Sequence, residues 1–219
     1  MSEEEQKSNE EGKPKESPPV DAEREAKLKA AAEARAARAA AKEKAEAEAA
    51  DAPQEIPKPP SPRQPELDAV AALLKQEIAE AAVEEAYVNE LNGDMPMIVV
   101  SNTYWREAAR LLKEHEQLQF NYLRNESGID YESHMEVVYH MLSLGSKREV
   151  AVKIKADRDA ASVYSATPVW ASANWNEREI YDLLGVDFPG HPDLRRIMMP
   201  DDWVGHPLRK DYEPLDSEV

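Results

Sequence analysis

The chain has 219 residues, with 44 acidic side chains against 27 lysines and arginines, a formal charge of −17, and no cysteine. Without cysteine these residues can form no disulfide, no thiolate-bound zinc and no Cys-ligated iron–sulfur cluster, and they offer no thiol nucleophile. The acidic balance argues against general nucleic-acid binding, which draws its affinity from clustered Lys and Arg. No apolar run reaches the roughly 18 residues a membrane span needs. The acidic start Met1-Ser2-Glu3-Glu4-Glu5 is unlike the basic start of a secretory or transit peptide. These features predict a soluble, intracellular protein with one folded domain.

The averages hide two different polymers. No aromatic residue precedes Tyr87, and nine of the 16 prolines fall within residues 1–65. Residues 1–20 mix Glu, Lys, Ser and Pro, and lack the apolar surface needed to offset the entropy of ordering. From Asp21 to Ala52, 16 of 32 residues are alanine, and Leu28 is the only large aliphatic. Alanine content and pairs such as Glu23–Lys27 and Lys44–Glu48 favour helix. With no apolar stripe to dock it, such a helix reads as a solvated spacer, a coiled coil or partner-binding arm being the other reading. Pro53, Pro57, Pro59, Pro60, Pro62 and Pro65 then form a stiff polyproline-like linker. Residues 1–65 carry 15 acids and 12 bases, so −14 of the −17 belongs to the remaining 154 residues. The predicted organisation is an arm and linker (1–65), an α/β domain (66–160), and a helix with a long tail (161–219).

Leu67, Val70, Leu74, Ile78 and Ala81 are spaced as one face of a helix. Tyr87-Val88, the turn signal Asn92-Gly93-Asp94 and Met97-Ile98-Val99-Val100 predict a hairpin. Ser101 or Asn102 is placed to cap a helix over 103–115, with Trp105, Ala109 and Leu112 on its inner side. Strands are predicted at 118–124, 135–144 and 149–155, the last with Val150, Val152 and Ile154 facing one way. The order α-β-β-α-β-β-β predicts an α+β fold, a mixed sheet with helices packed on it. A third helix follows from Trp175 to Leu184, with Asn174 as cap, Glu177 and Glu179 in its first turns, and Gly185 as stop.

Beyond Gly185 the chain is punctuated by Pro189, Gly190, Pro192, Pro200, Gly205 and Pro207, and predicts an extended tail. Phe188, Ile197, Met198, Trp203 and Tyr212 need cover, and the expected cover is a partner. Three constellations stand out. His191, Asp193, Asp201, Asp202 and His206 could hold a divalent metal. Both histidines precede proline, however, which forces extended backbone, so Gly-His-Pro turns that shape a docking loop are the other reading. Glu177, Glu179 and Asp182 could do acid–base chemistry beside Arg178. The two glutamates are two apart and diverge on a helix, and Arg178 and Asp182 have the spacing of an ion pair. The cations Arg195-Arg196 and Arg209-Lys210 suit a facing protein surface better than phosphate, because the tail glycines are isolated. Ordinary exposed salt bridges are their alternative.

The run from Glu177 to Ile197, Glu-Arg-Glu-Ile-Tyr-Asp-Leu-Leu-Gly-Val-Asp-Phe-Pro-Gly-His-Pro-Asp-Leu-Arg-Arg-Ile, resembles the signature of the C-type subunit of the proton-pumping NADH:quinone oxidoreductases, the 30 kDa subunit family of respiratory complex I. Trp203-Val204-Gly205-His206-Pro207-Leu208-Arg209-Lys210-Asp211-Tyr212 resembles the same family's C-terminal motif. The likeness covers about residues 66–215, and Leu184 stands where the family often has Phe. The resemblance implies a peripheral-arm subunit with no redox centre and no catalytic residue of its own. Its expected neighbours are the large D-type subunit, which forms the quinone site, and the B-type iron–sulfur subunit. NADH, quinone, FMN and iron–sulfur clusters would belong to the complex, and membrane association, on the cytoplasmic side, would be indirect. Glu177, Arg178, Asp182, Gly185, His191, Arg195, Arg196, Gly205, His206, Arg209, Lys210 and Asp211 match motif positions, which implies docking and motif geometry. A free-standing metal enzyme using His191 and His206, or an acidic interaction module, are the alternatives.

Overall fold

The computed structural model describes residues 61–213, so the alanine-rich segment, most of the proline-rich linker and the last six residues lie outside it. The first helix, α1 (Gln64–Glu77), carries Pro65 in its opening turn, where a missing N–H costs nothing, and buries Leu67, Val70, Ala71 and Leu74. After a short turn the chain enters β1 (Val83–Asn89), reverses at Gly93, and returns as β2 (Met95–Val100). The two pair antiparallel, as the turn signal predicts. β1 extends well before Tyr87 because it is an edge strand whose Glu84 and Glu85 face solvent, so it lacks a buried-strand pattern.

A single 3₁₀ turn (Asn102–Tyr104) leads into α2 (Trp105–Glu114), which buries Trp105, Ala108, Ala109 and Leu112. Neither Ser101 nor Asn102 caps it through a side chain. The Asn102 amide donates instead to the Ser162 carbonyl at 2.8 Å, tying this corner to a distant loop.

Three strands follow: β3 (Tyr122–Asp130), β4 (Met135–Leu142) and β5 (Glu149–Ala156). β3 starts later than the 118–124 expectation and runs through the polar stretch Asn125-Glu126-Ser127. Leu118 and Phe120 are buried, but in the loop that closes α2, where the Phe120 N–H donates to the Leu112 carbonyl. A register shift between Leu123 and Asn125 changes the alternation, so that Leu123, Glu126 and Asp130 all end up buried. The sheet order is β1-β2-β5-β4-β3, with β2 and β5 parallel and every other pair antiparallel. The mixed sheet and the α+β class are therefore as the element order predicts.

The last helix, α3 (Ala173–Leu184), begins before Trp175 and leaves Asn174 inside it, so Asn174 is no cap. One core joins the three helices to the sheet face bearing Val137, Tyr139, Met141, Val150, Val152 and Ile154. Trp105 stacks on Tyr139 at 4.3 Å, and the Trp170 indole donates to the Phe120 carbonyl at 2.9 Å. α3 lies directly on β3 because Gly128 has no side chain. A Cβ there would stand 2.6 Å from Leu184 Cδ1 and 2.9 Å from Ile180 Cγ2. Among the described residues no helix is long and apolar enough to cross a membrane.

Candidate docking surface

Most motif residues lie on α3 or bond back to it; Glu177 and Asp182 are buried, while Arg195, Gly205, Lys210 and Asp211 are exposed. Glu177 is fully buried. It accepts hydrogen bonds from Ser165 Oγ (2.6 Å), the Ala166 N–H (2.5 Å) and Thr167 Oγ1 (2.9 Å), fastening the 165–167 loop to the helix. Burial pushes its carboxyl above the ordinary glutamate range, and these donors, with His191 3.8 Å away, offset part of that rise. Glu177 and Glu179 diverge as their spacing predicts, Glu179 being exposed. His191 Nδ1 accepts from the Asp193 N–H at 3.0 Å, so Nε2 is left to donate to the Asn174 carbonyl at 3.1 Å. The Gly-His-Pro segment is thus a shaped loop with its ring bound.

The tail then satisfies the end of α3. A helix leaves its last four carbonyls without partners. Here the Gly185 N–H donates to the Tyr181 carbonyl and the Leu208 N–H to the Leu183 carbonyl, each at 3.0 Å. His206 Nδ1 donates to the Asp182 carbonyl at 2.9 Å, and Arg209 Nε to the Leu184 carbonyl at 2.7 Å. All four are met, and an arginine sits at the negative end of the helix dipole. Gly185 is required twice: its φ is +71°, and a Cβ would lie 2.5 Å from His206 Nε2.

Asp182 holds the middle of the tail. Its Oδ2 accepts the N–H groups of Ile197 (3.0 Å), Met198 (2.7 Å) and Met199 (2.9 Å), and its Oδ1 lies 3.3 Å from Arg196 Nη1. Burial works to raise its carboxyl, yet the three amides and Arg196 outweigh it and hold the group below the usual range. Arg178 and Asp182 do not form the expected ion pair. Asp182 turns to these nearer backbone donors, while Arg178 reaches the carbonyls of Arg195 (3.2 Å) and Arg196 (3.5 Å). Arg196 also donates to the Gly205 carbonyl at 3.2 Å.

A clasp closes the far end. Arg158 makes two hydrogen bonds to Asp130, each 2.9 Å, and reaches Asp211 at 2.7 Å. The Lys210 N–H donates to Asp130 Oδ2 at 3.1 Å. Arg158 foremost, then the amides of Glu132 and Lys210, hold the Asp130 carboxyl far below its ordinary range, against the effect of burial. Asp211 is lowered too, chiefly by Arg158. Asp130, Arg158 and Ser165 carry no signal in the sequence, since each becomes meaningful only when the tail folds back.

Four large apolar side chains of this region stay outside. Trp175, Met198, Val204 and Leu208 are exposed, at 59–75%. All four lie on α3 or the tail. Leu208 also lines a groove of about 260 Å³ with Ile180, Leu183 and Leu184. Phe188, by contrast, is buried by this chain itself, contrary to the expectation of a partner's cover. Arg195 and Lys210 are exposed and pair with Asp193 at 2.9 Å and Glu132 at 3.7 Å. His191, Asp193, Asp201, Asp202 and His206 are not brought together: among the described residues no group of three or more acids and imidazoles is placed to hold a metal.

Residues 98–218 match the sequence profile of the respiratory-chain NADH dehydrogenase, 30 Kd subunit. The chain is 45% identical over 126 residues to the C-type subunit of the NADH-quinone oxidoreductase of Chlorobium phaeobacteroides, covering 56% of this chain and 76% of that protein. To the same component of the Chloroherpeton thalassium enzyme it is 36% identical over 165 residues, covering 72% and 69%. A chain from the membrane-bound sulfane sulfur reductase, an archaeal respiratory membrane complex, shares the fold with a TM-score of 0.55, at 22% identity and over 68% of this chain and 86% of that one. The profile match spans more than half of the sequence, and the chain belongs to the 30 kDa subunit family of the respiratory-chain NADH dehydrogenases.

Proposed function

We propose that the chain is a non-catalytic peripheral subunit of a membrane-bound NADH:quinone oxidoreductase, supporting the quinone-site subunit while electrons pass from NADH through iron–sulfur clusters to quinone, coupled to proton translocation. Its partners in this reading are the large D-type subunit of the quinone site and the B-type iron–sulfur subunit. Attachment to the cytoplasmic side of the cell membrane is indirect. Redox groups sit on neighbouring chains, in keeping with a sequence that has no cysteine to bind a cluster.

The observation that carries the docking role is the division of labour in the tail. Most of its motif cations and acids bond within the chain, Arg195 and Lys210 being exposed, while Trp175, Met198, Val204 and Leu208 stay exposed on α3 and the tail. Exposed apolar patches mark interaction sites, and these four side chains are the candidates for one. Leu208→Asp and Val204→Asp introduce charge without touching an internal bond. Expressed in place of the native chain, each should lower co-purification of the large quinone-site partner and quinone reductase activity of membranes at least tenfold, the isolated chain keeping its thermal midpoint. Unchanged assembly and activity in both variants would overturn the docking role.

A further inference from the structure

On the inner face of β3, Glu126 is 3% exposed, and neither carboxyl oxygen has a hydrogen-bond partner. Its direct neighbour across the strand pair is Tyr139, whose buried hydroxyl is also without one. From the helix side the nearby charge is Glu177. Behind Glu177 stands His191 of the tail, 3.8 Å away with its ring bound to backbone. Of the cations near it, Arg124 on β3 pairs with Glu149, Lys153 on β5 with Glu136, and Arg158 just beyond β5 with Asp130, while Lys155 on β5 is exposed. Glu126 is therefore faced by a phenol from β4 and by acids from α3, Glu177 on the inner side and Glu179 along the groove that both line.

The position is structural as well as electrostatic. Glu177, Ile180 and Leu184 follow one another along the face of α3 that meets β3, and the last two close over Gly128, two residues from Glu126. A buried carboxylate without hydrogen bonds is so costly that the group takes a proton instead. Two nearby carboxylates repel, so the charge of one disfavours ionisation of the other. Of this pair, Glu177 has three donors to support a charge, and Glu126 has only the approaching Tyr139 hydroxyl. The proton therefore belongs to Glu126.

We propose that Glu126 is a protonated acid in the folded protein at neutral pH, and that the seating of α3 and its tail on β3 is a proton-dependent fastening that loosens when Glu126 ionises. Burial first, then the charge of Glu177, pushes this carboxyl well above the ordinary glutamate range, while the approach of the Tyr139 hydroxyl eases the rise slightly. The sign follows from proton counting. The folded state retains a proton that an unfolded glutamate releases near pH 4.3, so above about that pH the closed form loses up to tenfold in population per pH unit until Glu126 itself ionises. The consequence for docking rests on the proposed subunit role; the protonation does not.

The test uses the isolated full chain. Infrared difference spectra of wild type against Glu126→Gln at pH 7 should contain a protonated-carboxyl stretch contributed by the wild type alone. Hydrogen exchange of α3 amides, corrected for intrinsic exchange rates, should show opening that rises with pH more steeply in wild type than in Glu126→Gln, by up to tenfold per unit, the remaining slope of the variant being that of Glu177. Glu126→Leu, close in volume and needing no partner, serves the same comparison if the glutamine variant does not fold. An ionised Glu126 at pH 7, or equal pH slopes for α3 opening in wild type and variant, overturns the proposal. Association is tested separately by Leu208→Asp, so failure of the partner role leaves this titration standing.

Discussion

Asp182→Ala tests whether the tail is held from within. The carboxylate has no exposed surface and accepts three backbone N–H groups from consecutive residues, with Arg196 3.3 Å from its other oxygen. Hydrogen bonds to a charged group are each worth about 1.5–3 kcal/mol. The donors lie in a half-exposed loop, where water replaces part of what is lost, so about 1 kcal/mol per bond is the better figure. Adding about 1 kcal/mol for the Arg196 pair, whose arginine is 15% exposed, brings the expected loss to about 4 kcal/mol. Asp182→Asn keeps an acceptor oxygen but not the charge, and should lose about 1–2 kcal/mol.

The loss should be local before it is global. Hydrogen exchange of the Ile197, Met198 and Met199 amides reads the tail directly, and urea denaturation reads the domain. In Asp182→Ala all three amides should lose their protection, and Leu208 and Arg209 should follow because they close on the same helix end. Unchanged protection of the three amides, with an unfolding free energy from urea within about 0.5 kcal/mol of wild type, would refute the reasoning.

Two other perturbations probe separate joints. Gly128→Val places branched carbon where a Cβ alone meets Leu184 at 2.6 Å and Ile180 at 2.9 Å, and should destabilise by about 1–3 kcal/mol in urea, with α3 lifted from β3. The clasp predicts an acid limb. Asp130 is held below its unfolded value, so its contribution is complete above about pH 4 and declines as pH falls towards its folded value. Asp130→Asn should be less stable than wild type at neutral pH, and the gap should narrow as the pH is lowered from 4 to 2, measured by urea midpoints; a constant gap would contradict the assignment.

The legible part of the molecule is the part whose side chains follow a period. Val150, Val152 and Ile154 alternate, Leu67, Val70 and Leu74 repeat at helical spacing, and Asn92-Gly93-Asp94 marks a turn; each is readable because neighbours in sequence share one environment. β3 escapes such a reading for the converse reason. Its inward positions include Glu126, Gly128 and Asp130, chosen for a helix laid across them, a buried acid and a distant arginine, and its bulge breaks the alternation. The motif positions of the candidate site stand out in the sequence, but their roles do not. Arg178 and Asp182 have the spacing of an ion pair, yet a carboxylate offered three consecutive backbone amides takes them, and that loop arrives only with the fold.

This changes what the basic residues of an acidic domain mean. From sequence, Arg195-Arg196 and Arg209-Lys210 look like a charged patch waiting for a partner. In the structure Arg209 caps α3, Arg196 ties Asp182 to Gly205, and Arg178 holds the chain at residues 195 and 196. A tail with neither helix nor ladder needs such anchors, because backbone groups in irregular chain find no partners by repetition. Charge used internally also suits docking. An arginine already paired presents its neighbours in fixed positions, so association need not bear the entropy of ordering the segment. In the proposed docking, exposed Leu208 and Val204 contribute by apolar burial, while loss of Arg196 or Asp211 acts one step earlier, through the shape of the surface on which they stand.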